Sequence, residues 1–175
     1  MNEVIKALKE RRSIRSFTEE VPSKELIDQV IEAGLYAPSG MGKQGAIIIV
    51  LDDEELRNKV REDNRKIAGF EEGKDPFYGA PVILAVLADK SVPTSVYDAS
   101  LVMQNLMLAS HALGLGSIWI HRAKQEFEMP EYQELLKRNG IEGEFEGVGH
   151  CAIGYIAGEA PEAKERKENR VFYVK

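Results

Sequence analysis

Apolar residues along this chain recur at two spacings, one that suits helices and one that suits covered strands. Near the start, Val4, Ile5 and Leu8 share one stripe of a helix that Asn2 is placed to cap. A second helix is predicted from its cap Ser23 through Leu26, Ile27, Val30, Ile31 and Leu35, with Pro38 as its stop. The segment 37–45 holds three glycines and a proline, so it is predicted to be a loop with unusual dihedrals and an accessible backbone. The β-branched run 46–51 behind it suits a strand covered on both faces. Asp52 with Glu55 predicts a capped helix to about Ala68, and the charged, glycine-containing segment 69–79 is the best candidate for a mobile lid or excursion. A second buried strand is predicted over 80–88, with Pro81 tolerated at its beginning. The stretch 97–113 is apolar nearly all round, which places it centrally or against a second subunit. A short strand at 117–120, one helix over 123–139 closed by Gly140, and a last core strand over 148–157 complete the order. Residues 159–175 read as a charged tail. Its apolar tip, Val171-Phe172-Tyr173-Val174, has no evident home in its own subunit and is expected to pair with a partner's sheet edge.

Composition narrows the class. With 175 residues and no internal repeat or linker, residues 1–175 are expected to form one domain, long enough to bury roughly 70% of its unfolded surface. Hydrophobic residues make up 43% and charged residues 30%, a globular balance. The single cysteine, Cys151, rules out an internal disulfide framework and fits a reducing compartment. No apolar run approaches a bilayer span and the chain opens into an amphipathic pattern, so no membrane association and a cytoplasmic location are expected. A net charge of −6 argues against nucleic acid as a partner.

Against that acidic background, Arg11-Arg12-Ser13-Ile14-Arg15 gathers three guanidiniums and a hydroxyl. Planar arginine forks match phosphate or carboxylate bidentately, and serine adds a short-range donor, so the set suits a compact phosphate. A solvated basic turn after a helix fits the same five residues. Gly114-Leu115-Gly116 begins like a dinucleotide fingerprint, but Trp119 stands where the third glycine belongs and the glycines follow a helix, so a tight helix-to-strand turn is predicted. His111, His121 and His150 lack the spacing of a metal set and are assigned structural roles, and no metal is expected. Ser39 and Ser117 have no nucleophile-elbow context, and Cys151 falls in a buried strand, which argues against covalent catalysis. A second basic run holds Lys164, Arg166, Lys167 and Arg170. Two cationic segments without a catalytic triad point to a bound cofactor that carries the reaction.

The Arg-Arg-Ser-Ile-Arg opening, the Ala-Pro-Ser-Gly loop ending in Gln44, the segment from Asn105 to Ser117, and Gly154-Tyr155 followed by Lys164-Glu-Arg166 resemble, in order and spacing, the nitroreductase family of FMN-dependent oxidoreductases. The resemblance implies an α+β fold, with a central mixed, mainly antiparallel sheet flanked by helices, in an intertwined homodimer carrying FMN at its interface. It implies that Arg11 and Ser13 hold the FMN phosphate, with Arg12 assisting and Lys164 and Arg166 closing around the same group. By the same likeness Arg15 reaches the pyrimidine edge of the flavin. Pro38, Ser39 and Gly40 come from the other subunit to the ring, with Gln44 near the ribityl chain, while Gly116 and Ser117 offer backbone groups. No side chain is implied as a catalytic acid or base: NADH or NADPH would reduce flavin N5, and a small-molecule acceptor such as a nitroaromatic, quinone or flavin would reoxidise it by a ping-pong scheme. Enone reduction, dehalogenation, flavin destruction and non-enzymatic flavin binding are the alternatives the same resemblance leaves open. Many members carry asparagine where this chain has Gly42, and a proline then an aromatic where it has Gly45 and Ala46.

Overall fold

A computed structural model describes residues 2–175. Four strands, β1 (Ala46–Val50), β2 (Val82–Asp89), β3 (Gly116–Ile120) and β4 (Phe145–Gly154), form one sheet in the order β1-β2-β4-β3. Every neighbouring pair runs antiparallel. The expected mixed character survives only as an isolated parallel bridge between Ser13 and Ser117, outside the named strands.

Side-chain alternation along the strands divides the core into two layers. Ile83, Ala85 and Leu87 of β2 join Ile118, Ile120 and Ala152 on one face, whereas Leu84, Val86, Ala88, Cys151 and Ile153 point to the other. Helices α3 (Glu54–Ile67), α5 (Ala123–Glu128) and α6 (Pro130–Arg138) cover the first face through Val60, Phe127, Tyr132 and Leu136. The second face is covered by α2 (Lys24–Leu35) and α4 (Ser95–Ala112), and α4 contacts all four strands. The short helix α1 (Glu3–Glu10) is capped as expected, with Asn2 Oδ1 accepting from the Val4 amide at 2.9 Å. Its apolar stripe is not covered by this chain: Val4 is 59% exposed and Leu8 46%.

Several expectations change at their edges. The helix predicted over 123–139 is two helices, because Pro130 holds the preceding Met129 extended, at ψ 141, and takes the first position of α6. The cap of α3 is Asp53 rather than Asp52, accepting from the Leu56 amide at 2.8 Å. The last strand starts at Phe145, three residues before the apolar run suggests, and ends at Gly154. Segment 69–79 is an excursion fastened to α3. Arg61 pairs with Asp75 at 2.6 Å and donates to the Ala80 carbonyl, while Arg65 donates to the Phe70 carbonyl. The tail beyond Gly158 has no regular structure, and its tip is exposed, Phe172 at 76% and Val174 at 94%. Among the described residues no helix is long and apolar enough to cross a membrane.

Candidate functional site

The predicted turn at the end of α4 begins the site. Gly114 adopts φ 78, which lets its amide donate to the His111 carbonyl and the Leu115 amide to the Ser110 carbonyl, a paired closure of the helix end that returns the chain sharply into β3. β3 is met there by the N-terminal basic segment. The Ile14 amide donates to the Ser117 carbonyl at 3.0 Å, beside the Ser13–Ser117 bridge. Sequence positions a hundred residues apart are thereby joined along one edge of the sheet.

That junction encloses a hollow of about 50 Å³ lined by Arg11, Arg12, His111, Gly116, Ser117 and Ala160, among others. It has room for a group of a few heavy atoms and none for a ring system. Arg11 is its distinctive feature: its Nη1 is buried and has no hydrogen-bond partner among the described residues. Burial, and then the like charge of Arg12, lower the pKa of Arg11. Arg12 is turned differently, with Nη1 donating to the carbonyls of Lys9 and Arg11. A buried guanidinium with a free donor beside a second cation is costly in isolation, and an oxyanion resolves both faults at once.

Pro38, Ser39 and Gln44 lie elsewhere on the chain, lining a second hollow of about 70 Å³ with Asp98 and Val102 of α4. The loop there closes on itself through a single 3₁₀ turn over Gly40–Gly42, and three of its residues are left-handed: Met41 at φ 54, Gly42 at φ 65 and Gln44 at φ 49. Gly40 donates its amide to Asp98 Oδ1. Arg15 is exposed, with one long bond of 3.4 Å to the Ser13 carbonyl. Lys164 and Arg166 are exposed on the tail and do not line either hollow, although Ala160, where the tail begins, lines the first. One chain thus brings together Arg11, Arg12, Ser13, Gly116 and Ser117, and leaves the loop of Pro38, Ser39, Gly40 and Gln44 apart from them.

Two residues at these places carry no sequence signal of a site. His111, expected to be structural, lines the cationic hollow from the last turn of α4. Asp98 carried no motif at all. The remaining histidines are structural in kind: His121 is exposed, and His150 is fully buried with its Nε2 at 2.5 Å from Glu126 Oε2 between the rings of Phe77 and Phe127. Cys151 is buried on β4, and burial pushes its thiol up to about 12, the opposite of a nucleophile's activation. No group of three or more metal-ligating side chains is assembled among the described residues.

The fold and its hollows define an α+β protein with a cationic hollow of phosphate size at one end of its sheet and a glycine-rich loop lining a separate hollow. The sequence places it further: the model of the Nitroreductase family matches residues 8–155, and the chain belongs to that family. An FMN reductase (NAD(P)H) of Bacillus subtilis is 33% identical over 160 residues, covering 78% of this chain and 61% of the relative, so the chain spans about three fifths of that protein. An iodotyrosine deiodinase of Thermotoga neapolitana is 28% identical over 165 residues, 84% of this chain and 85% of the relative. A nitroreductase with bound FMN from Bacteroides fragilis superposes with a TM-score of 0.87 at 26% identity, covering 100% of both chains.

Proposed function

We propose that this chain is an FMN-dependent oxidoreductase that draws reducing equivalents from NADH or NADPH and delivers them to an electron-poor small molecule such as a nitroaromatic, a quinone or a free flavin. The observation that carries this reading is the buried Nη1 of Arg11, without a partner among the described residues, in a hollow of phosphate size. When bound, FMN supplies the two-electron chemistry, accepting a hydride at N5 and passing it on. The chain's own residues bind and orient. Arg11 and Ser13 hold the phosphate, Arg12 adds a second positive charge, and Lys164 and Arg166 bring further charge from the tail. Gly116 and Ser117 offer backbone groups beside the same pocket. Arg15, exposed and weakly held, is free to lie against the pyrimidine edge, where a guanidinium favours the negatively charged reduced form. The hollow cannot enclose a ring, so the ring is covered by the second half-site, Pro38, Ser39, Gly40 and Gln44 of another copy.

The homodimer this requires is supported by unpartnered apolar surface. The stripe of α1, the outer side of α4 at Tyr97 and Leu101, and the tail tip are all exposed. β1 is an edge strand, whereas the start of the other edge strand is already met by Ser13 and Ile14, so the tip of a partner's tail has β1 as its available edge. In this reading residues 1–175 form one domain, cytoplasmic, with 159–175 lying on the partner. Because reductant and acceptor would occupy the same face in turn, initial rates should give parallel double-reciprocal lines.

The deciding experiment is a visible absorption spectrum of the purified protein, followed by anaerobic addition of NADH and of NADPH. Flavin bands that bleach on a catalytic timescale and return with a nitroaromatic are the expected result. A protein that neither carries nor takes up FMN overturns the proposal. Similarity to the deiodinase favours one second reading, reductive dehalogenation at the same two half-sites. Release of iodide from an iodophenol by the reduced protein, without turnover of nitroaromatics, selects it.

A further inference from the structure

We propose that Asp98 is a positioning residue: fixed on α4 and braced by Thr94, its carboxylate holds the backbone of Gly40, and with it the loop 38–44, where that loop meets the cofactor of the partner subunit. The inference rests on the functional reading above and adds a residue that neither the motifs nor the family resemblance supplied.

Asp98 is 5% exposed, yet it forms no ion pair among the described residues. Both of its oxygens are engaged. Oδ1 accepts the Gly40 amide at 3.1 Å across 58 positions of sequence, and Oδ2 accepts the Thr94 hydroxyl at 3.0 Å. Thr94 occupies the N-cap position of α4, where a threonine ordinarily caps a free amide, but its side chain caps nothing and is turned to Asp98 instead. A local rule of helix geometry is given up to orient a buried carboxylate, which is the pattern expected where positioning matters more than stability.

The loop needs such a tie. Its other bonds are short-range: Gly42 amide to Ser39 carbonyl at 3.0 Å, Lys43 amide to Gly40 carbonyl at 3.2 Å, and Gln44 amide to Ser39 Oγ at 3.0 Å. They set the shape of the loop; its far end is held where the Asp89 amide donates to the Gly45 carbonyl, and Asp98 is the tie at Gly40. Met41 and Gln44 are non-glycine residues in the left-handed region, so the shape is one the chain does not favour alone. Gly40 lies so close to Thr94 that a Cβ there would collide with the threonine side chain, which keeps the amide within reach of the carboxylate. Ser39, Gln44 and Asp98 then share the walls of one hollow.

Asp98→Asn and Asp98→Ala separate the acceptor from the charge. Two readouts are taken: the FMN dissociation constant by quenching of flavin fluorescence, and hydrogen exchange of the Gly40 amide in the protein as purified. Asp98→Ala is expected to weaken FMN binding about tenfold or more and to accelerate Gly40 exchange by a comparable factor. Asp98→Asn keeps an oxygen for Gly40 and should stay within about threefold of the parent in both. Thr94→Val, which removes only the brace, should fall between them and serves if Asp98→Ala does not fold. Equal FMN affinity in Asp98→Ala, or in Thr94→Val where that variant stands in, with Gly40 exchange unchanged, overturns the inference, as does an asparagine variant as weak as the alanine. A parent protein that binds no FMN is a different failure, because it defeats the functional reading and the positioning role with it.

Discussion

Replacing Arg11 with methionine should make the flavin-free protein more stable and the flavin-loaded protein less so. The guanidinium has a buried nitrogen with no partner among the described residues, a fault worth about 1–3 kcal/mol for a polar group. Methionine keeps much of the aliphatic stem and removes that donor together with the repulsion from Arg12. A net gain of about 1 kcal/mol is expected, which raises the midpoint of thermal unfolding by about 2–4 °C for a chain of this size. Binding moves the other way. A charge-assisted hydrogen bond to phosphate contributes about 1.5–3 kcal/mol, so the variant should bind FMN about 10- to 150-fold more weakly. At an FMN concentration 100 times the parent's dissociation constant, ligand stabilises the parent by about 2.7 kcal/mol, and a variant weakened 100-fold by about 0.4 kcal/mol. The order of stability therefore inverts between the two conditions. Scanning calorimetry of both proteins with and without FMN checks it, and inorganic phosphate should show the same crossing in smaller form. A variant that melts below the parent without ligand and binds FMN equally well refutes the reasoning, because Arg11 would then be a satisfied structural residue.

Gly42→Asn should be tolerated, since asparagine accepts the left-handed backbone observed at φ 65 and nothing lies within 4 Å of the Cβ position. If the loop faces the ring, the new side chain can add one hydrogen bond and tighten FMN by about 1 kcal/mol in a fluorescence titration, and unchanged affinity would place the loop away from the cofactor. Deleting residues 171–175 removes the exposed apolar tip, and sedimentation velocity should show a shift toward monomer; an unaltered dimer would show that the tail does not bridge protomers. Cys151 should resist a thiol reagent until the protein unfolds, and rapid labelling of the native state would contradict its burial. Burial pushes its pKa up to about 12 from an ordinary value of 9.0, so its contribution to stability is complete below pH 9 and declines as pH rises toward 12.

The parts of the fold that periodicity reveals are those buried on both sides or on one side by regular elements. β1 and β2 are legible because their β-branched runs face two helix layers at once, and α4 because it is apolar nearly all round. The break at Met129 is hidden by apolar spacing that continues across it, and only Pro130 signals the interruption. The start of β4 is masked by Gly147, which looks like a turn residue but is required because the α5 backbone lies against it. At the site, adjacency in sequence decides what can be read. The arginine cluster announces itself within five residues, whereas the pairing of Asp98 with Gly40 spans 58 positions and obeys no motif. The exposure of the α1 stripe was equally illegible, because the same periodicity serves a helix that packs on its own core and one that waits for a second copy.

The two hollows stand toward opposite ends of one helix. His111 and the turn beyond it stand at the cationic hollow, and Asp98 stands at the loop 38–44, 13 residues earlier in α4. At a rise of 1.5 Å per residue this sets the two residues about 20 Å apart along the helix. In the homodimer proposed above, a two-fold arrangement that sets the outer sides of two such helices against each other would bring the hollow of one copy toward the loop of the other, twice. In that dimer the low amphipathicity of α4 would have a physical reason: the strands and α2 bury most of it, and the exposed Tyr97 and Leu101 would meet their own image. A helix serving as the spacer between half-sites must also be rigid, and α4 is the longest in the fold, 18 residues, closed at its C-terminus by the Gly114 turn. Any change that shortens or bends it should therefore disturb both copies of the site together, even where neither hollow is touched.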